Sequence, residues 1–279
     1  MNHFNFNGKI LAEGTVVIGP ANRGLRYGDG LFETIKCVDG KLQFSDLHFA
    51  RLWKGMGTLQ FVVPVHFTPE GLEDQILTLA KKNGHLKNAR IRLTVFRGEG
   101  GLYDPVNHQP NYLIETWELP ETKAVLNSNG LVMGIYTDIK KNSGLLANLK
   151  HNNHLPYVLA AIFTKKQQWN DAVVLNQEGR LCDTTIANLF IIKGEMIQTP
   201  PLSEGCIAGV VREHLLKQLP ALGFAVKEMP LGIDDLMQAE EVFVTNSIHP
   251  IRWVRSIGEK NYDNQFIQKI FSAILPTID

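Results

Sequence analysis

The sequence is poor in cysteine. Only Cys37, Cys182 and Cys206 occur in 279 residues, an odd and scattered set that argues against a disulfide framework and a cysteine zinc site. It also has no excess of either charge. Lys plus Arg is 28 and Asp plus Glu is 28, so the chain lacks the basic surface with which proteins hold bulk nucleic acid or anionic membranes. No run of about 18 apolar residues is present, the length that a membrane-spanning helix requires. The opening MNHFNFNGKI has no basic stretch followed by an apolar one, so no signal peptide is expected. The motifs GxSxG, GxxxxGK and HExxH are missing, which removes the signatures of serine hydrolases, P-loop enzymes and zinc proteases. What remains is 44% hydrophobic and 20% charged, the balance of an ordinary globular protein. The expectation is a cytoplasmic enzyme with small-molecule substrates, of one large or two small domains.

Phe4 to Ile10 and Thr15 to Ile18 read as short strands, separated by Gly8 and Gly14. Leu31 to Val38 reads as a strand that turns at Asp39-Gly40, with Lys41 to Phe44 returning. Ser45 stands where an N-cap belongs, ahead of a helix carrying Leu47, Ala50, Leu52 and Met56. Pro69 opens a second helix and Gly84 stops it. Strands are expected at Ala89 to Phe96 and Tyr112 to Trp117, with RGEGG (Arg97 to Gly101) as a flexible loop between them. The Pro-containing, charged stretch Leu119 to Asn129 marks a boundary, giving an N-terminal α+β domain over 1–121, a linker over 122–129 and a C-terminal α+β domain over 130–279. Beyond it, Leu131 to Thr137, Ala172 to Leu175, Asn188 to Ile192 and Val242 to Asn246 read as strands. Leu155 to Gln167, Gly209 to Leu219 and Asn264 to Leu275 read as helices. The fold class is α+β.

Five segments carry candidate chemistry. In RGLRYGDGLFETIK, Gly28-Asp29-Gly30 makes a tight turn before a strand, either as plain structure or to bring backbone close to a ligand near Tyr27 and Glu33. In LLANLKHNNHLPYVLAA, Lys150 sits in a short polar stretch ahead of an expected helix, either as a solvated surface residue or, where apolar neighbours strip its hydration and lower its pKa, as a free amine able to form a Schiff base. His151 and His154 follow, without a carboxylate or cysteine in frame for a metal, and read as polar helix residues. In EGRLCDTTIANLF, Glu178-Gly179 turns a hairpin and Asp183 precedes a buried strand, as a turn-former or as a carboxylate aimed into a site. GCIAGVVR places glycine at a loop-to-helix junction, whose N–H groups suit a phosphate. FVTNSIHPIRWV ends a strand in Thr245, Asn246 and Ser247.

In this order and spacing the five segments resemble the class IV aminotransferases, the fold-type IV pyridoxal 5′-phosphate enzymes. The resemblance implies two mixed α/β domains of the D-amino-acid aminotransferase-like fold, an active site in the cleft between them, and a homodimer. It implies pyridoxal 5′-phosphate as cofactor, with Lys150 as the Schiff-base lysine and no metal. Arg51, the helix start at Gly209, Val210 and Val211, and Ser247 fall at positions that hold the cofactor phosphate. Asp183 falls where the family has a glutamate facing the pyridine nitrogen, and its reach is one methylene shorter. An anion there keeps the nitrogen protonated, so that the ring accepts electrons. Tyr27, Arg26, Glu33 and Arg97 fall on the substrate side, where a guanidinium can grip a carboxylate.

The branch is less sharply marked. Branched-chain enzymes carry tyrosine five residues after the lysine, and here that residue is Leu155. RGEGG followed by Tyr103 is similar to the Arg-Gly-Ser-Gly-Gly loop of 4-amino-4-deoxychorismate lyase, as are Leu146 to His151 and Ala187 to Phe190 to their counterparts there. Glu33 instead matches the transaminases, where the lyase usually has threonine. The leading expectation is a lyase that releases pyruvate from aminodeoxychorismate and leaves 4-aminobenzoate for folate. The alternatives are an amino-acid transaminase of D-amino-acid or branched-chain type, and a catalytically weakened relative that binds the cofactor.

Overall fold

The computed structural model describes residues 2–120 and 125–278. The chain divides into two compact units, Met1–Thr122 with Lys150–Asn153, and Lys123–Leu149 with His154–Asp279. Residues 121–124, on which the expected end of the first domain and start of the linker fall, lie outside the described residues. The first unit thus takes back four residues from the middle of the chain, and Lys150 is the first of them.

The first unit is built on a six-stranded sheet in the order β2-β1-β6-β5-β3-β4. Its strands are β1 (His3–Phe6), β2 (Lys9–Ala12), β3 (Gly30–Val38), β4 (Lys41–Leu42), β5 (Asn88–Arg97) and β6 (Pro110–Glu118). The apolar run from Phe4 to Ile10 is therefore a hairpin, turned at Asn7-Gly8. Thr15 to Ile18 joins no strand; Val16 is exposed, so the run has no apolar face to bury. β3 pairs along its whole length with β5, and Ile35, Ile91, Leu93 and Ile114 are fully buried on the sheet's inner face. Against the sheet lie α1 (Arg23–Tyr27), α2 (Ser45–Thr58) and α3 (Pro69–Asn83). α3 opens at Pro69 and is closed by Gly84 as expected, and in addition the Thr68 side chain accepts from Gly71 N–H as its N-cap. α2 departs from expectation. Ser45 is its first residue, and the cap is Phe44 with φ 55° and no side-chain hydrogen bond. The short return strand β4 forces the chain to turn sharply there, and backbone conformation overrides side-chain capping.

The second unit carries a nine-stranded sheet: β7 (Leu131–Lys141), β8 (Asp171–Asn176), β9 (Leu181–Thr184), β10 (Asn188–Lys193), β11 (Met196–Thr199), β12 (Ala225–Glu228), β13 (Glu241–Thr245), β14 (Arg252–Ile257) and β15 (Lys260–Asn261). The order runs β12-β11-β10-β13-β14-β7-β8-β9, with β15 beside β14. β8 and β13 are buried at every position, with apolar residues between the polar ones at their ends. Phe190 and Phe243 stack at 4.8 Å in the register between β10 and β13. The helices are α4 (Leu155–Lys166), α5 (Val210–Ala221), α6 (Ile233–Gln238) and α7 (Gln265–Ile274). Among the described residues no helix is long and apolar enough to cross a membrane. β7 runs four residues beyond the expected Thr137, a difference that matters below.

Candidate active site

In the second unit, the hairpin β8–β9 sets a carboxylate. Asp183 precedes the buried strand β10, as expected, but itself sits inside a further strand, β9, opposite Val174 and 2% exposed. The chain just beyond it is tied down by Asp171 of β8. The Asp171 carboxylate accepts from the Thr184 hydroxyl at 2.7 Å and from the Thr185 hydroxyl and N–H at 2.5 and 3.0 Å. Burial pushes the Asp171 pKa up against those hydrogen bonds.

The two oxygens of Asp183 differ. Oδ2 accepts from the Tyr157 hydroxyl at 2.8 Å, the Ile207 N–H at 3.0 Å and the Lys141 ammonium at 3.3 Å. Oδ1 is buried and has no partner. Leaving such an acceptor unmade costs about 1–3 kcal/mol or more when charged, so the oxygen is a place for a donor that the polypeptide does not supply. Burial and the neighbouring Asp183 keep the Tyr157 hydroxyl well above its usual range, and the same two causes raise the Cys182 thiol. Burial also lifts the Cys206 thiol, to about 11.

A second corner of this unit gathers free hydrogen-bonding capacity. Asn188 opens β10 directly opposite Thr245, the last residue of β13. The Thr245 hydroxyl is buried without a partner. Asn188 donates to the Ile207 carbonyl at 2.9 Å, which holds the approach to α5. Gly209 is the N-cap of α5, and a Cβ there would lie 1.9 Å from Asn188 Oδ1, so only glycine lets the chain pass. No side chain caps this helix start. Val210 and Val211 form its first turn, and their side chains are buried, so they contribute backbone N–H groups and not functional side chains. Ser247 follows two residues after Thr245, half-buried in the bend that Asn246 Oδ1 organises by accepting from Ile248 and His249 N–H.

In the first unit, the Lys150–Asn153 segment lies along the start of β3. Phe32 N–H donates to the Lys150 carbonyl and Asn152 N–H to the Gly30 carbonyl, both at 2.9 Å, around a Leu31–His151 bridge. This explains the glycine at position 30. A Cβ there would meet the Val95 carbonyl at 2.2 Å and Asn152 Nδ2 at 2.6 Å. The close approach expected of this glycine is thus to β5 and to the lysine segment. His151 lies in the bridge and His154 caps α4, so neither is the helix-face residue that the sequence suggested.

The Lys150 ammonium stands 4.4 Å from the centre of the Phe32 ring. Beside it is a buried ionic cluster. Arg51 of α2 grips Glu33 of β3 with both arms of its fork, Nε to Oε1 at 2.9 Å and Nη2 to Oε2 at 2.5 Å. His48, one turn earlier, donates from Nδ1 to Oε2 at 2.6 Å, since a carboxylate only accepts. Burial alone would raise the Glu33 pKa, but Arg51 and His48 outweigh it and bring it down to about 2. Burial lowers the His48 pKa against the pull of Glu33, with Arg51 and Lys150 adding to the decrease, so the imidazole is neutral at pH 7.

Residues 30–257 match the family described as Amino-transferase class IV. The chain belongs to the class IV aminotransferase family. Class IV aminotransferases and aminodeoxychorismate lyases are pyridoxal phosphate enzymes, and the chain is an enzyme of this family. It is 32% identical over 239 residues to an aminodeoxychorismate lyase of Vibrio harveyi, covering 85% of this chain and 86% of that one. It is 30% identical over 268 residues to a Methanocaldococcus jannaschii protein provisionally named a branched-chain-amino-acid aminotransferase, covering 95% and 91%. The fold is shared with the branched-chain aminotransferase of the archaeon Thermoproteus uzoniensis, with a TM-score of 0.88, 21% identity, and coverage of 100% and 96%.

The remaining substrate-side candidates of this class IV enzyme divide by environment. Arg97 is 4% exposed and its guanidinium is occupied. It donates to Asp29 at 3.0 Å and to the carbonyls of Leu59 and Gln60 at 2.5 and 3.3 Å. Arg23, unnoticed in the sequence, shares Asp29 at 2.9 Å and binds the carbonyls of Gly100, Leu102 and Tyr103. The two arginines therefore brace the RGEGG loop against α1. Arg26 is exposed and donates to the Pro20 carbonyl at 2.7 Å. The Tyr27 ring is half-buried under Arg23 and next to Tyr103. Lys141, Tyr157 and His48 also escaped the sequence reading. No motif or spacing in the sequence marks them out.

Proposed function

We propose that this chain binds pyridoxal 5′-phosphate and acts as a 4-amino-4-deoxychorismate lyase, releasing pyruvate and leaving 4-aminobenzoate. The observation that carries the cofactor reading is Asp183, a buried carboxylate with three donors on one oxygen and none on the other. That is the receptor a protonated pyridine nitrogen needs. The unpartnered Thr245 hydroxyl, the uncapped start of α5 and nearby Ser247 suit a phosphate dianion. Arg51, which the resemblance assigns to the phosphate, is oriented within the first unit by Glu33.

When bound, the cofactor supplies an electron sink for the pair left when a substrate C–H bond breaks. The chain's own residues do the rest. Lys150 Nζ would hold the cofactor, and its amine would carry the proton taken from the substrate carbon and returned to it. Asp183 Oδ1, buried and without a partner, would accept the ring N–H. Glu33 acts by fixing Arg51, and Asp29 with Arg23 and Arg97 acts by fixing the loop at the substrate side. Arg26 and Tyr27 are the groups proposed to meet the substrate carboxylate.

Leu155, the RGEGG loop and the likeness to the Vibrio lyase favour elimination. Glu33 and the likeness to the archaeal protein favour the second reading, an amino-acid transaminase. Supplying aminodeoxychorismate and measuring pyruvate, then supplying D-alanine, L-leucine or L-glutamate with a keto acid, separates them. Pyruvate without amino transfer is expected, and the reverse result would overturn the lyase reading. A homodimer is also proposed. Leu155, Val158, Leu159 and Ile162 form an exposed apolar stripe at helical spacing on α4, a face that a second copy would cover. The buried thiols of all three cysteines suit a reducing, cytoplasmic setting.

A further inference from the structure

Lys141 ends β7 with its side chain 9% exposed. Its ammonium meets the Ala147 carbonyl at 3.3 Å, the Tyr157 hydroxyl, and Asp183 Oδ2 at 3.3 Å. An ammonium has three N–H groups, and these acceptors use them all. A buried lysine is costly unless paired, and an aliphatic side chain would fill the same space at lower cost. The pairing is therefore where its effect is to be sought. Together with Tyr157 and Ile207 N–H it loads a single oxygen of Asp183, which fixes the carboxylate plane and leaves Oδ1 as the presented atom. The other titratable groups facing Asp183 are Tyr157 of α4, Cys182 of β9 and Cys206 ahead of α5. All three stay neutral at pH 7, so Lys141 is the charged member of the group.

We propose that Lys141 is a positioning residue that sets, through Asp183, how tightly the pyridine nitrogen of the bound cofactor holds its proton. The inference rests on the proposed pairing of Asp183 with that nitrogen. A cation on Oδ2 draws electron density from the carboxylate and makes Oδ1 a weaker proton acceptor. The same charge disfavours a second cation nearby. Both effects lower the ring nitrogen's affinity for its proton, so this enzyme works with a moderated electron sink.

The test uses holoenzyme loaded with cofactor carrying ¹⁵N in the ring, and follows the nitrogen chemical shift against pH. A like charge nearby disfavours the charged form of a titrating group. Lys141→Met is therefore expected to move the ring titration upward by about one unit or more, while Lys141→Arg stays near wild type. A Lys141→Met enzyme that melts as a folded protein yet titrates like wild type would overturn the proposal, as would Lys141→Arg moving as far as Lys141→Met. Should Lys141→Met fail to fold, Lys141→Gln keeps two donors, drops the charge and makes the same comparison. Asp183→Asn separates the two levels of the argument. If it leaves the ring titration in place, the pairing with Asp183 is wrong. If it shifts the titration and Lys141→Met does not, the role of Lys141 alone is wrong.

Discussion

Replacing Glu33 by glutamine keeps its shape and removes its charge. In the native cluster Glu33 is 1% exposed and carries the Arg51 fork and the His48 N–H. The glutamine would leave the Arg51 guanidinium beside a neutral amide, and removing one partner of a buried pair costs about 3–5 kcal/mol. The pH dependence gives an independent number. A carboxyl pKa drawn down from 4.5 to about 2 corresponds to about 3 kcal/mol of stability, on 1.36 kcal/mol per unit. That stability is fully present above the unfolded value and is lost as pH falls from 4.5 toward 2. His48 adds to the acid sensitivity. Its folded pKa lies below 6.5, so under that pH the unfolded chain binds a proton that the folded ring refuses. Wild type should therefore lose stability in two stages on acidification, and Glu33→Gln should lack the lower one. Scanning calorimetry at about pH 7, 5 and 3 reads both. At neutral pH the variant's first-unit transition should fall by about 10–20 °C, taking roughly 4 °C per kcal/mol for a unit of this size. The gap should narrow by about half or more at about pH 3 and close only toward pH 2. A gap that stays constant across this range would refute the argument, because it would show that the ion pair does not supply the stability.

Three further outcomes follow from single contacts. Asp29→Ala should leave the Arg23 and Arg97 guanidinia without their shared carboxylate and speed hydrogen exchange across 98–109; unchanged exchange would show that the carbonyl contacts alone hold the loop. Gly209→Ala should drive a methyl into Asn188 Oδ1, 1.9 Å away, at a cost of about 1–3 kcal/mol. It should weaken pyridoxal phosphate binding about tenfold or more while leaving phosphate-free pyridoxal unaffected, and equal losses for both would remove the phosphate from this corner. Tyr157→Phe should strip one donor from Asp183 Oδ2 and one acceptor from Lys141, lowering the melting temperature of the second unit; an unchanged melt would show that the buried pair repacks without it.

Local rules made most of the framework readable. Asp39-Gly40 turned its hairpin, Pro69 and Gly84 bounded α3, and apolar runs became β10 and β13. Failures arose where tertiary context decided. Val16 has the composition of a strand residue and nothing to pair with, and Phe44 caps α2 because the β4 turn leaves the chain in a left-handed conformation. Lys150, Asp183 and Gly209 stood out as candidates in the sequence because each sits in a short patterned segment. Lys141 was not, because its strand passes through exposed positions at Thr137 and Asp138 before the chain dives inward again. Glu33 and Arg51 were visible singly, but their pairing joins a strand to a helix and no spacing in the sequence announces it.

The central claim is that Lys150 holds the cofactor. Incubating the protein with pyridoxal 5′-phosphate, reducing with borohydride and mapping the modified peptide by mass spectrometry tests it directly. The label should appear on Lys150, and Lys150→Ala should abolish it with the fold intact. A label on another lysine, Lys141 included, or a visible cofactor absorbance that persists unchanged in Lys150→Ala, would contradict the account.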